Sequence, residues 1–161
     1  MNPSYFRINL PKPQAIERLC NWDGRAVKET IETSFSNAVS VSLNEAGQWK
    51  GSCLYVYEND GWTVFEDLSG GYCAIPAMSW LEFAKKDNLV VAGYNDAILY
   101  GEMVVIADGV IQKEFFEDIN MPDEKINTGE TFEEINSWED VAEYVDDDSL
   151  VFSDNGTVLI F

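Results

Sequence analysis

Leu54-Tyr-Val-Tyr-Glu58, then Asn59-Asp60-Gly61, then Trp62-Thr-Val-Phe-Glu66: two aromatic and β-branched runs stand either side of a three-residue turn signal. Asn, Asp and Gly tolerate positive φ, and the flanking residues suit a pleated surface, so the segment reads as a β-hairpin. The signal recurs. Asp108-Gly109 joins an apolar stretch from Ala97 to Ala107 to another from Val110 to Phe116, and Asp154-Asn155-Gly156 separates Leu150-Val-Phe152 from Thr157-Val-Leu-Ile-Phe161. Strands joined by tight turns pair antiparallel. The expected fold is therefore α+β, a largely antiparallel sheet with two to four helices packed on one side, in a single domain over residues 1–161.

Working outward, Tyr5 to Leu10 alternates polar and apolar residues as a half-buried strand does, and Pro11 and Pro13 end it. Ala15, Ile16, Leu19 and Cys20 fall at helical spacing. After Asp23-Gly24, the residues Ala26, Val27, Thr30 and Ile31 predict a second helix capped by Asp23. Val39, Val41 and Leu43 alternate with Ser40 and Ser42, predicting a strand. Pro76 opens a short helix whose buried side holds Met78, Trp80, Leu81 and Ala84. Leu89 to Ala92 reads as a buried strand, and the polar stretch Asp118 to Thr131 as a connector. Ser137 followed by Asp140 resembles a capping box, opening an amphipathic helix with Trp138, Val141, Ala142 and Val145 on its apolar side.

Composition narrows the function. With 46% apolar and 13% aromatic residues, the chain has the means to form a core, unlike a disordered acidic chain. From about residue 114 onward lie fifteen of its 29 carboxylates and one basic residue, Lys125, within a net charge of −19. A pI near 4.1 disfavours nucleic acid and anionic lipid as partners. There is no histidine, which removes the commonest general base and metal ligand, so a non-enzyme is expected. Cys20, Cys53 and Cys73 show no C-x-x-C spacing, and Asp146-Asp-Asp148 with Asp154-Asn-Gly156 lacks the calcium-loop glutamate. No metal or cofactor is expected. Neither a secretory signal nor a membrane-length apolar run is present, and the expected location is the cytoplasm.

The candidate partner-binding residues are Glu133, Glu134, Glu139, Asp140, Glu143, Asp146, Asp147 and Asp148. Several project away from the apolar stripe of the predicted helix, and the Asp run extends past its C-terminal end, where the macrodipole disfavours negative charge. Arginine-rich partners would pair with such carboxylates. The plain alternative is a solvated face. A catalytic alternative would draw an acid and a base from Glu66 or Asp67 with Asp96, or from Asp96 with Glu102, as a carboxylate-dependent hydrolase. Ser69-Gly70-Gly71 lacks the G-x-S-x-G elbow and reads as a turn. An acidic scaffold module is a third reading.

With its acidic C-terminal segment, small size and α+β pattern, the chain resembles bacterial immunity proteins of polymorphic toxin systems. Trp22-Asp-Gly-Arg-Ala-Val27 and Gly61-Trp-Thr-Val-Phe-Glu-Asp-Leu-Ser-Gly70 read like family landmarks, with no role assigned beyond turn and strand formation. The resemblance implies a non-catalytic inhibitor. Acidic members of that group mask basic nuclease toxins by mimicking or blocking the charge of their substrate, which here would fall to the carboxylates named above.

Overall fold

The computed structural model describes residues 4–130, 134–147 and 154–161. In chain order the elements are β1 (Ser4–Ile8), α1 (Lys12–Asp23), β2 (Glu29–Thr33), α2 (Phe35–Ser42), β3 (Cys53–Asn59), β4 (Trp62–Asp67) and α3 (Ala77–Ala84). Then come β5 (Leu89–Asn95), β6 (Tyr100–Ala107), β7 (Val110–Asp118), a 3-10 turn (Pro122–Glu124), β8 (Ile126–Gly129), α4 (Trp138–Asp147) and β9 (Gly156–Ile160). The strands form one sheet in the order β2-β9-β3-β4-β1-β5-β6-β7-β8, and every neighbouring pair is antiparallel. The α+β class and the antiparallel sheet are as expected.

Turn chemistry explains the meander. Asp60 and Gly61 take φ of 48° and 81°, and Asp108 and Gly109 take 51° and 74°, so both hairpins close through residues that accept positive φ. Asp154-Asn155-Gly156 leads instead into β9, which inserts between β2 and β3. The strand expected over Leu150 to Phe152 lies outside the described residues.

The helices do not share one side. Alternate strand residues feed two apolar layers: Phe6, Ile8, Leu54, Val56, Phe65 and Val91 pack with α1 and α3. Tyr5, Tyr55, Tyr57, Val64, Ala92 and Met103 pack with α2 and α4 on the other face. The cause is visible in β3, where Cys53 through Tyr57 are all buried. A strand apolar on both faces needs cover on both.

Three local expectations are corrected. The Ala26 to Ile31 segment is not a helix: Glu29-Thr-Ile-Glu-Thr33, rich in β-branched residues, pairs with β9 as an edge strand. Val39, Val41 and Leu43 are not a strand, because Phe35, Ala38, Val39 and Ser42 also fit a helical face, and Ser42 Oγ donates to the Ala38 carbonyl at 2.7 Å. Met78 is 65% exposed, and Phe83 takes the buried place beside Ala77, Trp80 and Ala84. The connector from Asp118 to Thr131 holds one further strand, β8, whose four residues are all exposed at the sheet edge.

The first landmark stretch makes structural contacts. Arg25 donates to Asp23 Oδ2 (2.6 Å), to Ser52 Oγ (2.6 Å) and to Tyr72 Oη (3.0 Å), and its guanidinium lies over the rings of Tyr72 and Phe161. The Trp22 to Val27 stretch thus clamps α1 to the loop after β4 and to the end of β9. Trp22 stacks on Trp80.

One glycine sets the seat of α4. A Cβ on Gly101 of β6 would stand 2.8 Å from Trp138 Cα, closer than any real Cβ contact. Gly101→Ala should therefore push the helix off the sheet and cost about 1–3 kcal/mol. Urea unfolding compared with wild type checks this; an unchanged midpoint would mean that α4 is not held at this distance.

Candidate functional site

Two regions gather the functional side chains. The first is α4, which lies across β5 and β6. Ser137 and Asp140 make the expected capping box: Asp140 Oδ2 accepts from the N–H groups of Asn136 (2.8 Å) and Ser137 (2.9 Å), and Ser137 Oγ accepts from Asp140 N–H (3.3 Å). Glu117 of β7 accepts from Trp138 N–H at 2.7 Å and pairs with Lys125 at 2.6 Å, and Lys125 also donates to the Asn136 carbonyl. The helix start is tied down on both sides. Its apolar face is held by buried Val141 and Tyr144, the latter accepting a hydrogen bond from Arg7 Nη2 at 3.2 Å. Tyr144 is thus committed to the interior.

Of the predicted contact residues, Glu139, Glu143, Asp146 and Asp147 are exposed along this helix. None of the four is ion-paired among the described residues, whereas Arg18, Arg25, Lys50 and Lys125 each pair with a carboxylate elsewhere. Asp146 accepts from Tyr94 Oη at 3.0 Å. Asp140 is half-buried and spent on the cap, and Glu134, also exposed, accepts from Asn136 Nδ2. Glu133 and Asp148 lie outside the described residues. The last turn of α4 carries no basic residue, so its negative end faces more negative charge.

The second region lies on the opposite face, where the apolar layer under α3 gives out. A cavity of about 600 Å3 is lined there by the loop after β4, by Gly93 to Asn95 of β5, and by Tyr100, Phe116, Asp118 and Met121. A smaller hollow of about 360 Å3 adjoins it across Ala74, Phe116 and Met121, and is lined by Glu102 and Glu114. The loop is built by Asp67, which is 5% exposed and accepts the N–H groups of Gly70, Gly71 and Tyr72 at 2.8–3.1 Å. Burial raises the Asp67 pKa against those bonds. Ser69-Gly70-Gly71 is accordingly a turn wrapped on a carboxylate.

Glu102 stands beside it, 3% exposed. Its Oε2 accepts from Ala74 N–H at 2.8 Å. Burial, opposed by the Ala74 N–H and the Tyr100 hydroxyl and aided by Asp67, lifts its pKa from 4.5 to about 7. Tyr100 lies next to it with its Oη buried and directed at the Glu102 carboxyl, and burial together with the charge and hydrogen bond of Glu102 raises its pKa. Cys73 is pushed up to about 11 by burial, Glu102 and Asp67, so it is a thiol at neutral pH and not a nucleophile.

Neither pairing named for the hydrolase reading forms, since Asp96 meets neither Asp67 nor Glu102 in a shared hollow. Glu66 and Asp67 point to opposite faces of β4, Glu66 accepting from Tyr57 Oη at 3.3 Å, and Asp96 is exposed at the β5–β6 turn outside the cavity lining. What the fold brings together is Asp67 and Glu102, each named from the sequence as a partner of Asp96 and not of the other. The available signal was a glutamate at an inward position of an apolar strand, Tyr100-Gly-Glu-Met-Val-Val-Ile106. Among the described residues no three Cys, Asp or Glu side chains gather as a metal site would require. No helix among them is long and apolar enough to cross a membrane.

Searches against protein-family models, curated proteins and solved structures found no match to this chain.

Because Glu102 holds its proton to a higher pH when folded, its contribution to stability is fully present below about pH 4.5 and is lost as pH rises through 7. Glu102→Gln keeps an acceptor for Ala74 N–H and carries no such loss. Relative to this variant, wild type should lose up to about 3 kcal/mol between pH 4.5 and 8. Paired urea titrations at the two ends of that window read the difference; a constant gap would place the Glu102 pKa near its ordinary value.

Proposed function

We propose that this chain is a cytoplasmic, non-catalytic binding protein of the immunity type, which neutralises a basic toxin domain, such as a nuclease, by presenting the outer face of α4. The observation that carries the reading is the set of exposed carboxylates Glu139, Glu143, Asp146 and Asp147, unpaired with any lysine or arginine among the described residues. Three of them crowd toward a helix end whose dipole opposes them, a cost of a few tenths of a kcal/mol each. A surface serving stability alone would put lysine there. The helix is also rigidly seated, through its capping box, Glu117 and Gly101, so the charges are displayed at fixed positions.

Such a face acts chiefly on the encounter. Negative potential steers a cationic domain into register and raises the association rate, an effect that salt screens over roughly 10 Å at 0.1 M. Arginines on the partner would then form two-pronged bonds to the carboxylates. Asp140 is set apart from the contact residues, since it is half-buried and its Oδ2 is engaged by the cap.

The combined variant Glu139→Lys, Glu143→Lys and Asp147→Lys tests this. It places positive charge at the negative helix end, so the fold should be unchanged or more stable by up to about 1 kcal/mol. Capture should fail. Wild type and variant are immobilised, challenged with lysate of the cells that express the chain, and the retained protein is identified by mass spectrometry. Its association rate with wild type should fall about tenfold or more between low and physiological salt. Equal retention by both forms, or a rate indifferent to salt, would leave the face merely solvated.

A further inference from the structure

We propose that the cavity beside Asp67 and Glu102 is a binding site for a small organic cation, an amine or amidine carried on an aromatic or alicyclic body. The site is independent of the acidic helix and lies on the other face of the sheet.

Size speaks first. About 600 Å3 falls within the range of small-molecule sites and is far more than one lysine or arginine side chain fills. The lining supplies apolar and aromatic surface. Tyr100 and Phe116 meet edge to face at 5.6 Å in that lining. Such rings hold cations against their π faces.

Exposure gives a second, separate observation. Of the seven large hydrophobic residues left exposed among the described residues, Trp49 (39%), Ile98 (45%) and Met121 (40%) all line this one cavity, and Ile126 lines the adjoining hollow. Apolar side chains gathered around a concavity are uncovered surface that a ligand would remove from water.

The sign of the charge comes from the polar groups. Among the described residues no lysine or arginine lines either hollow, while Asp67 and Asp118 line the first, and Glu102 and Glu114 line the second. Glu102 is nearly wholly buried, and among the described residues its near donors are the Ala74 N–H and the Tyr100 hydroxyl, which leaves acceptor capacity on Oε1. A carboxylate can accept about four hydrogen bonds, so a bound N–H would add a charge-assisted donor to a group held by two. An anion would face Asp67 and Asp118 with no lysine or arginine in the lining among the described residues, and a neutral apolar body would bring no donor.

The test uses one aromatic body in three charge states: tryptamine, 3-ethylindole and indole-3-acetate, titrated into the full chain and followed by amide NMR shifts. Tryptamine should shift the amides of Gly70 to Ala74 and Gly93 to Asn95, and should bind about tenfold or more tighter than 3-ethylindole, with indole-3-acetate weakest. Glu102→Gln should erase most of tryptamine's advantage and leave 3-ethylindole unaltered. Ile98→Arg, at an exposed turn where folding is not at stake, should block the site with its own cation. The proposal is overturned if tryptamine fails to bind at millimolar concentration, if its shifts map to α4, if the three probes bind alike, or if Glu102→Gln leaves its affinity intact.

Discussion

Tyr5 and Phe6 are neighbours on β1, yet their rings are sunk into two different apolar layers, and the rest of the molecule is arranged around that division. Phe6 stacks on Phe65 at 4.7 Å and touches Tyr72, Trp80 and Phe83, so one layer is knit by aromatic contacts to α3. Tyr5 belongs to the layer beneath α4. A sheet buried on both faces cannot leave either uncovered, so the α1–α3 pair and the α2–α4 pair are required together. Each functional region then sits where one layer ends. The acidic helix is the outer surface of the second layer, and the cavity opens where the first runs out beyond α3.

This arrangement separates two kinds of negative charge. The carboxylates of α4 are exposed and keep ordinary solvation, so their influence is long-ranged and sensitive to salt. Asp67 and Glu102 are buried, which strengthens every interaction they make and raises their proton affinity. One group suits the guidance of a large partner from a distance; the other suits discrimination at contact range. Tyr94 touches both, lining the cavity while its hydroxyl reaches Asp146.

The hairpins were legible because their information is local: Asn59-Asp60-Gly61 and Asp108-Gly109 encode a backbone geometry that few other residues adopt. The capping box of α4 was legible for the same reason. The α2 helix was not, since Val39 and Val41 satisfy both a strand period and, with Phe35 and Ala38, a helical one, and only packing against β9 and β3 decides between them. The division of helices between faces could be inferred only from β3, whose consecutive buried residues announce cover on both sides. As for the sites, the exposed acidic helix was visible as composition and spacing. The Asp67–Glu102 pair was not, because it depends on the pairing of Glu102 with Gly93 and on the path of the loop over them, both set by tertiary structure.

The edge strand β2 rests on a partner encoded far downstream, with Glu29 opposite Ile160 and Thr33 opposite Gly156. During folding it must therefore wait, and closing so long a loop is slow compared with zipping a hairpin. A waiting strand risks recruiting a stranger. The sequence Glu-Thr-Ile-Glu-Thr lessens that risk, since two like charges on a short segment repel a second copy of itself until its proper neighbour arrives.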